Sequence, residues 1–357
     1  MKNCLASLGY CGLIIVFSFI TQGIVSSHAA FPGASWPTST PESYQMDAQL
    51  LHEAKLDVET HIPGAQSLLV IKNGTIVVEH YFNGATADDP SEIYSFTKTV
   101  SGTLLGHLVQ KGQVHSIDDK LEDYLPTVFK EGSTHQLGSI TFRHLLTMTS
   151  GIKWEPDQFH LLYPRLCGIK TIFHAPLAHE PGSYFNYDDA NAHLLSYVVE
   201  NVSGLKSSEF AKKVLFDPLE ISNFSWFESP DGKPFGGFGL SLTTRDLAKL
   251  GYLYLMGGKW KTEQILPMSF VKEATQAQNS GGFPGNTSYG FFWWNSKEKG
   301  VEFYYGLGLG GQLLVVVPEL DLVAVLRIKT QSFTDDINQT KYIIHKFLLP
   351  SVLATTS

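Results

Sequence analysis

Ser95-Phe96-Thr97-Lys98 is the arrangement in this chain with the most chemistry in it. On a helix, positions i and i+3 share a face, so a serine and a lysine at that spacing can hydrogen-bond. A lysine desolvated from its reference pKa of about 10.4 can be neutral, and a neutral amine can accept the serine proton. The spacing alone is weak, because Ser-x-x-Lys starts at Ser95, Ser150, Ser203, Ser269 and Ser296. Context separates the five. Ser150 and Ser203 each precede a glycine where a helical pattern ends, and Ser296 opens the charged turn Lys297-Glu298-Lys299. Ser269 begins a helix whose Lys272, Glu273, Gln276 and Gln278 make it a solvated one. Ser95 opens a mainly apolar helix, where Lys98 is costly to bury without a role. Plainer readings stand beside the catalytic one: Ser95 as a helix N-cap, Lys98 as a snorkelling side chain.

A third group comes from Phe185-Asn186-Tyr187-Asp188-Asp189, which runs directly into a helical pattern. That places the Tyr187 phenol at a loop–helix junction, where it could enter a cleft and relay a proton. A packed tyrosine and an aspartate N-cap explain the same residues structurally. The glycine run Gly306–Gly311 lies at a strand edge, where glycines let a substrate approach and a backbone N–H can stabilise an oxyanion.

The same run satisfies G-x-G-x-x-G, but a dinucleotide site needs a helix next, to hold the pyrophosphate at its N-terminus. Gln312–Val317 follows instead and reads as a strand, so the Rossmann reading falls. There is no G-x-S-x-G, no H-E-x-x-H and no C-x-x-C, and the thirteen histidines show no ligand spacing. Neither a metal nor a cofactor is expected. Phe291, Phe292, Trp293 and Trp294 could form an apolar pocket wall, although alternate residues of a strand face opposite ways and core packing explains them equally well.

The elements that must hold these groups follow from periodicity. Leu50–Thr60 is weakly helical, and Ser67–Lys72 and Thr75–Phe82 are strands joined by Asn73-Gly74, a strong hairpin signal. Ser95–Val109, Thr141–Thr149, Asp189–Val202 and Thr244–Met256 read as helices. Strands then return at Tyr289–Asn295, Val301–Tyr305, Gln312–Val317 and Leu322–Lys329, before an amphipathic helix over Asp336–Leu349. Strands at both ends around a helical middle predict an α/β (α+β) fold: one antiparallel sheet built from both termini, with a large helical insertion. The expected domain spans 46–350, its sheet part about 46–90 and 289–350 and its helical part about 91–288. An extended segment, 30–45, precedes it and a tail, 351–357, follows.

Lys2, the apolar stretch Gly12–Ile20 and Ser27-His28-Ala29-Ala30 describe a secretory signal over residues 1–29, too short in its apolar run to span a membrane. The expectation is an exported, periplasmic or secreted protein with no stable membrane span after cleavage. Removing the signal leaves 357 − 29 = 328 residues and a formal charge of 25 − 34 = −9, against −8 for the whole chain. That acidic balance argues against nucleic-acid binding, which needs concentrated positive charge. Cys4 and Cys11 leave with the signal, so Cys167 stands alone and no internal disulfide forms. A lone cysteine is more often a small buried hydrophobe than a nucleophile.

Taken together, these segments resemble the serine β-lactamase and penicillin-binding-protein superfamily, in its class C-like branch, and within it esterases and 6-aminohexanoate-dimer hydrolases. The likeness runs from about residue 45 to 350. It rests on Ser95-Phe96-Thr97-Lys98, on Thr141–Gly151, on Tyr187-Asp188-Asp189 as the Tyr-x-Asn motif, on Gly236–Ala248 and on Tyr289–Trp294. The resemblance implies Ser95 as acylated nucleophile, Lys98 as its activating partner and Tyr187 as general base and acid. It also implies the Ser95 and Leu309 N–H groups as oxyanion hole, with Asp189, Gly308 and Gln312 facing the substrate. Two departures matter: Asp189 stands where the family has Asn, and Gly306-Leu307-Gly308 lacks the basic residue that engages a β-lactam carboxylate. Both favour a small-molecule ester or amide over a β-lactam, with a true β-lactamase or D,D-peptidase acting on peptidoglycan-derived substrates, and a silent binding relative, as alternatives.

Overall fold

The Asn73-Gly74 turn takes positive φ at both residues, 49° and 75°, as a two-residue hairpin whose twist matches its strands requires. It joins β1 (Ala65–Lys72) to β2 (Thr75–Tyr81), with Lys72 paired to Thr75. The computed structural model describes residues 31–32, 35–130, 135–153, 169–329 and 341–353. The expected signal over 1–29 and Cys167 lie outside them.

C-terminal strands complete the sheet: β3 (Ser288–Tyr289), β4 (Trp294–Glu298), β5 (Val301–Gly308), β6 (Gln312–Val317) and β7 (Leu322–Ile328). Their order is β2-β1-β7-β6-β5-β4-β3, every pairing antiparallel. The two ends of the chain therefore meet at the β1–β7 ladder, where Leu68 faces Leu326 and Val70 faces Ala324. β6 and β7 are buried along their whole length, which accounts for their being apolar except at Gln312 and Arg327.

Helix α1 (Ala48–His61) starts at Asp47, whose side chain accepts from Leu50 N, and packs against β1 and the C-terminal Ile344–Leu353. The insertion supplies α2 (Thr97–Gln110), α3 (Asp189–Ser203) and α4 (Thr244–Leu255). Helix α2 packs on α3, and α4 packs on β6 and β7. Gly251 makes that second contact close: a Cβ there would meet Leu314 at 2.8 Å. From Thr97 to Leu108 every residue of α2 is buried, so this helix is the core of the insertion.

Two expectations need correcting. The strand expected over Tyr289–Asn295 is broken, because Gly290–Trp293 leaves the ladder between β3 and β4. Phe292 turns to φ 58°, gives its N–H to Leu146 O and takes the Thr99 hydroxyl on its carbonyl, so sheet bonds are exchanged for bonds to the insertion. The final helix expected over Asp336–Leu349 is described from residue 341 on, and there it widens into a π-type turn over Ile344–Leu348 before Leu349–Leu353.

Candidate active site

Tyr94, directly before the nucleophile candidate, sits in the left-handed region at φ 47°. A bulky residue there is an outlier that the surroundings must impose. Here the 3₁₀ turn Tyr94–Phe96 leads into α2, with Phe96 buried and Ser95 half-buried. Phe96 rests edge-on against Trp293, ring centroids 5.5 Å apart. No side chain caps α2, so Ser95 is not consumed as an N-cap.

Lys98 does not snorkel; it is 1% exposed. Its ammonium donates to Ser95 Oγ at 2.9 Å and to Gly237 O at 3.0 Å, and forms an ion pair with Asp189 Oδ1. Burial pulls the Lys98 pKa down, but the charge of Asp189 and the interaction with Tyr187 outweigh it and hold the amine above its ordinary value. The expectation of a desolvated free base considers burial alone, whereas here the Asp189 charge acts against it. Ser203 of another Ser-x-x-Lys pattern turns back to Val199 O while Lys206 pairs with Glu228, which shows how little the spacing alone means.

Tyr187 lies with its ring 4.8 Å from Lys98 Nζ. Trp294 stacks on it at 5.8 Å and 24°, and Tyr289 meets it edge-on at 6.3 Å. Of the four aromatics expected as a pocket wall, Trp294 alone reaches Tyr187. Phe291 packs on Phe270, Phe292 on Gly102, and Trp293 sits among Phe96, Tyr254 and Tyr304.

The residue after Tyr187 caps α3: Asp188 Oδ1 accepts from Ala190 N at 2.5 Å. Burial pushes the Asp188 carboxyl up to about 8. The Thr141–Gly151 segment holds this turn from below. Thr141 and His144 form a reciprocal capping box on the short helix Phe142–Leu146. Met148 follows at φ 58°, and Asn186 N donates to Met148 O at 2.8 Å. Gly237 and Met148 lie in the Gly236–Ala248 and Thr141–Gly151 segments, but the sequence singles out neither for a role. The doubled glycine Gly236-Gly237 was a usable signal, since a Cβ on Gly237 would strike Asp189 at 2.9 Å and one on Gly236 would strike Ala192 O at 2.1 Å.

The three residues expected to face the substrate make the following contacts within the protein. Asp189 is bound to Lys98. Gln312 is 2% exposed, its amide bonded to Ile328 O and to Arg327, and it also lines the cleft beside Tyr94. Gly308 serves close packing, because a Cβ there would meet Ile93 O at 2.5 Å. Gly306 does the same against Phe96. The end of β5 is thus pressed on the turn carrying Ser95, and half-buried Leu309 comes directly after it.

No group of three or more metal-ligating side chains occurs among the described residues. The beta-lactamase family profile matches residues 48–346. The chain is 26% identical over 335 residues to 6-aminohexanoate-dimer hydrolase of Paenarthrobacter ureafaciens, covering 87% of this chain and 84% of that one. Among solved structures it resembles a D-stereospecific amidohydrolase from Streptomyces sp. (TM-score 0.65, 21% identity, 86% of this chain, 99% of the other). It also resembles EstCE1, a hydrolase with promiscuous acyltransferase activity (TM-score 0.68, 16% identity, 87% and 99%). With the antiparallel sheet, the helical insertion and the serine–lysine contact in place, the chain belongs to the beta-lactamase family of serine hydrolases.

Proposed function

We propose that the chain is an exported serine hydrolase that cleaves an ester or amide bond of a small-molecule substrate through an acyl-Ser95 intermediate. The observation that carries this reading is the buried Lys98 bound at once to Ser95 Oγ, Gly237 O and Asp189. An ammonium has no lone pair, so Lys98 can only donate to Ser95 Oγ. The Ser95 proton therefore points away from Lys98 and leaves by another group.

Tyr187 takes that proton as Ser95 Oγ attacks the acyl carbon, and gives it to the departing oxygen or nitrogen as the tetrahedral intermediate collapses. The N–H groups of Ser95 and Leu309 hold the oxyanion, a role supported by the packing of Gly306 on Phe96 and Gly308 on Ile93. Water then attacks the acyl-enzyme with Tyr187 as base. A second proton path is favoured by the Lys98–Asp189 contact: Lys98 passes one proton to Asp189 as it takes the one from Ser95. Tyr187→Phe separates the two, abolishing turnover on the first path and leaving most of it on the second.

Export is supported by the sequence of residues 2–30, and the reading of a small ester or amide substrate by the hydrolases with which the chain shares its fold. The decisive experiment incubates the protein and Ser95→Ala with a chromogenic ester, a chromogenic cephalosporin and a fluorophosphonate. Ester turnover and labelling that both vanish in Ser95→Ala are expected. Fast cephalosporin turnover with negligible ester cleavage would make it a β-lactamase, and absence of both turnover and labelling a binding protein.

A further inference from the structure

We propose that Asp189 sets the substrate class of this site, restricting it to acyl donors that carry no negative charge on the acyl part. The inference rests on the hydrolase reading above. Its basis is a charge balance at the nucleophile. Lys98 is the cation in contact with Ser95, and the Asp189 carboxylate is paired with it in a buried setting, 1% and 9% exposed. With an amide-bearing residue at 189 the same geometry would leave a net positive charge beside Ser95. With the carboxylate it leaves none.

No other lysine or arginine among the described residues is hydrogen-bonded or ion-paired to Ser95, Lys98, Tyr187 or Asp189. The strand edge that faces the nucleophile turn, Gly306-Leu307-Gly308, contributes no cation. Buried Arg327 is 1% exposed and committed elsewhere, its guanidinium bonded to Leu242 O, Ser91 O and the Gln312 side chain. A cleft of about 730 Å³ opens on the Tyr94 side, and its charged lining is Asp89 and Glu92 against Lys329. An anionic substrate gains no net attraction there either.

The aromatic surroundings of Tyr187 favour apolar matter. Tyr187 and Trp294 stack, Phe185 packs on Trp294 at 6.0 Å, and the exposed ring of Phe227 lies along Phe238, the residue after the Lys98 acceptor Gly237. A neutral acyl chain loses no hydration of charge on entering such a site, whereas a carboxylate gives up its water with no cation to replace it. Discrimination here comes from an unfavourable element, the missing counter-charge, more than from an added attraction.

The test uses two esters of equal acyl length, 4-nitrophenyl butyrate and 4-nitrophenyl hemisuccinate, with kcat/KM measured for the full chain and for Asp189→Asn. The expected result is a preference of at least about 100-fold for the butyrate, narrowed at least tenfold in Asp189→Asn whatever happens to the absolute rates. Equal turnover of both esters by the unaltered protein would overturn the proposal, and that comparison stands even where Asp189→Asn fails to fold. An unchanged ratio in a folded Asp189→Asn would also overturn it. Turnover of neither ester, together with no fluorophosphonate labelling, would overturn the hydrolase reading itself and this proposal with it.

Discussion

Asp188 gives its backbone N–H to the sulfur of Met148 at 3.4 Å, so the turn that carries Tyr187 hangs on a thioether. Asn191 Nδ2 donates to the same sulfur at 3.4 Å. Leucine matches methionine in volume but accepts nothing, so Met148→Leu isolates the acceptor from the packing. Leaving two buried donors unpaired is expected to cost about 1–3 kcal/mol. Urea unfolding should show a lower midpoint at unchanged m, and kcat should fall more than KM rises. Unchanged stability and kcat would remove the sulfur from any positioning role.

Asp188 also makes stability depend on pH. Its folded pKa, about 8, is raised above the ordinary 3.8 by burial. A raised value means that the native state holds the proton more tightly. The contribution is complete below about pH 4, declines as pH rises and is gone above about 8. The slope is at most about 1.4 kcal/mol per pH unit for one proton. Asp188→Asn keeps an acceptor for Ala190 N and cannot ionise. The unaltered protein should therefore lose stability relative to Asp188→Asn between pH 5 and pH 8, measured by urea unfolding at each pH. Parallel curves would show that Asp188 ionises as readily folded as unfolded.

Gly306 gives a purely steric test. A Cβ at this position would lie 2.1 Å from the Phe96 ring, and Phe96 is braced on Trp293, so the ring cannot simply retreat. Gly306→Ala should cost about 1–3 kcal/mol as overpacking and displace the Ser95 turn. We expect kcat for a chromogenic ester to fall at least about tenfold. A variant with normal kcat would mean that β5 does not fix the nucleophile.

What was legible in the sequence, and what was not, follows from the range of the interactions. The Asn73-Gly74 hairpin, the helix leading from Ser95 and the start of α3 at Asp188-Asp189 are set by neighbours in sequence, and the residues report them directly. The serine–lysine contact is local too, three residues along one turn. The pairing of Lys98 with Asp189 joins two helices 91 residues apart in sequence, and no periodicity encodes it. Gln312 shows the same: its bonds to Ile328 O and Arg327 come from β7, and the glycine run beside it in sequence does not announce them. Phe292 breaks a β-rich run because its best partners, Leu146 O and the Thr99 hydroxyl, belong to the insertion.

Lys98 itself can be probed through stability. Lys98→Met removes the ammonium and leaves the Asp189 carboxylate buried without its partner, a loss expected to cost about 3–5 kcal/mol. The double variant Lys98→Met, Asp189→Asn should recover much of that cost, since no unpaired charge remains. Both should lack fluorophosphonate labelling at Ser95. Additive losses in the double-mutant cycle would show that the two side chains do not interact in solution.

Arg327 links the sheet to the site from behind. Its guanidinium donates to Leu242 O and Ser91 O, each at 2.6 Å, to Glu92 O and Gln312 Oε1, each at 3.3 Å, and to Ser91 Oγ. Ser91-Glu92 runs straight into the Tyr94–Phe96 turn, so the fork that holds these carbonyls also holds the approach to Ser95. Burial pulls the Arg327 pKa down to about 10, which leaves it charged at neutral pH. Arg327→Lys keeps the charge but replaces a planar fork with a point donor that cannot span four residues. At least two acceptors then lose their partner, and a loss of about 2–4 kcal/mol is expected. The kcat for a neutral ester should fall with it, while Ser95 stays reactive to fluorophosphonate at a reduced rate. If Arg327→Lys melted and turned over like the unaltered protein, the fork geometry would be dispensable and the charge alone would suffice.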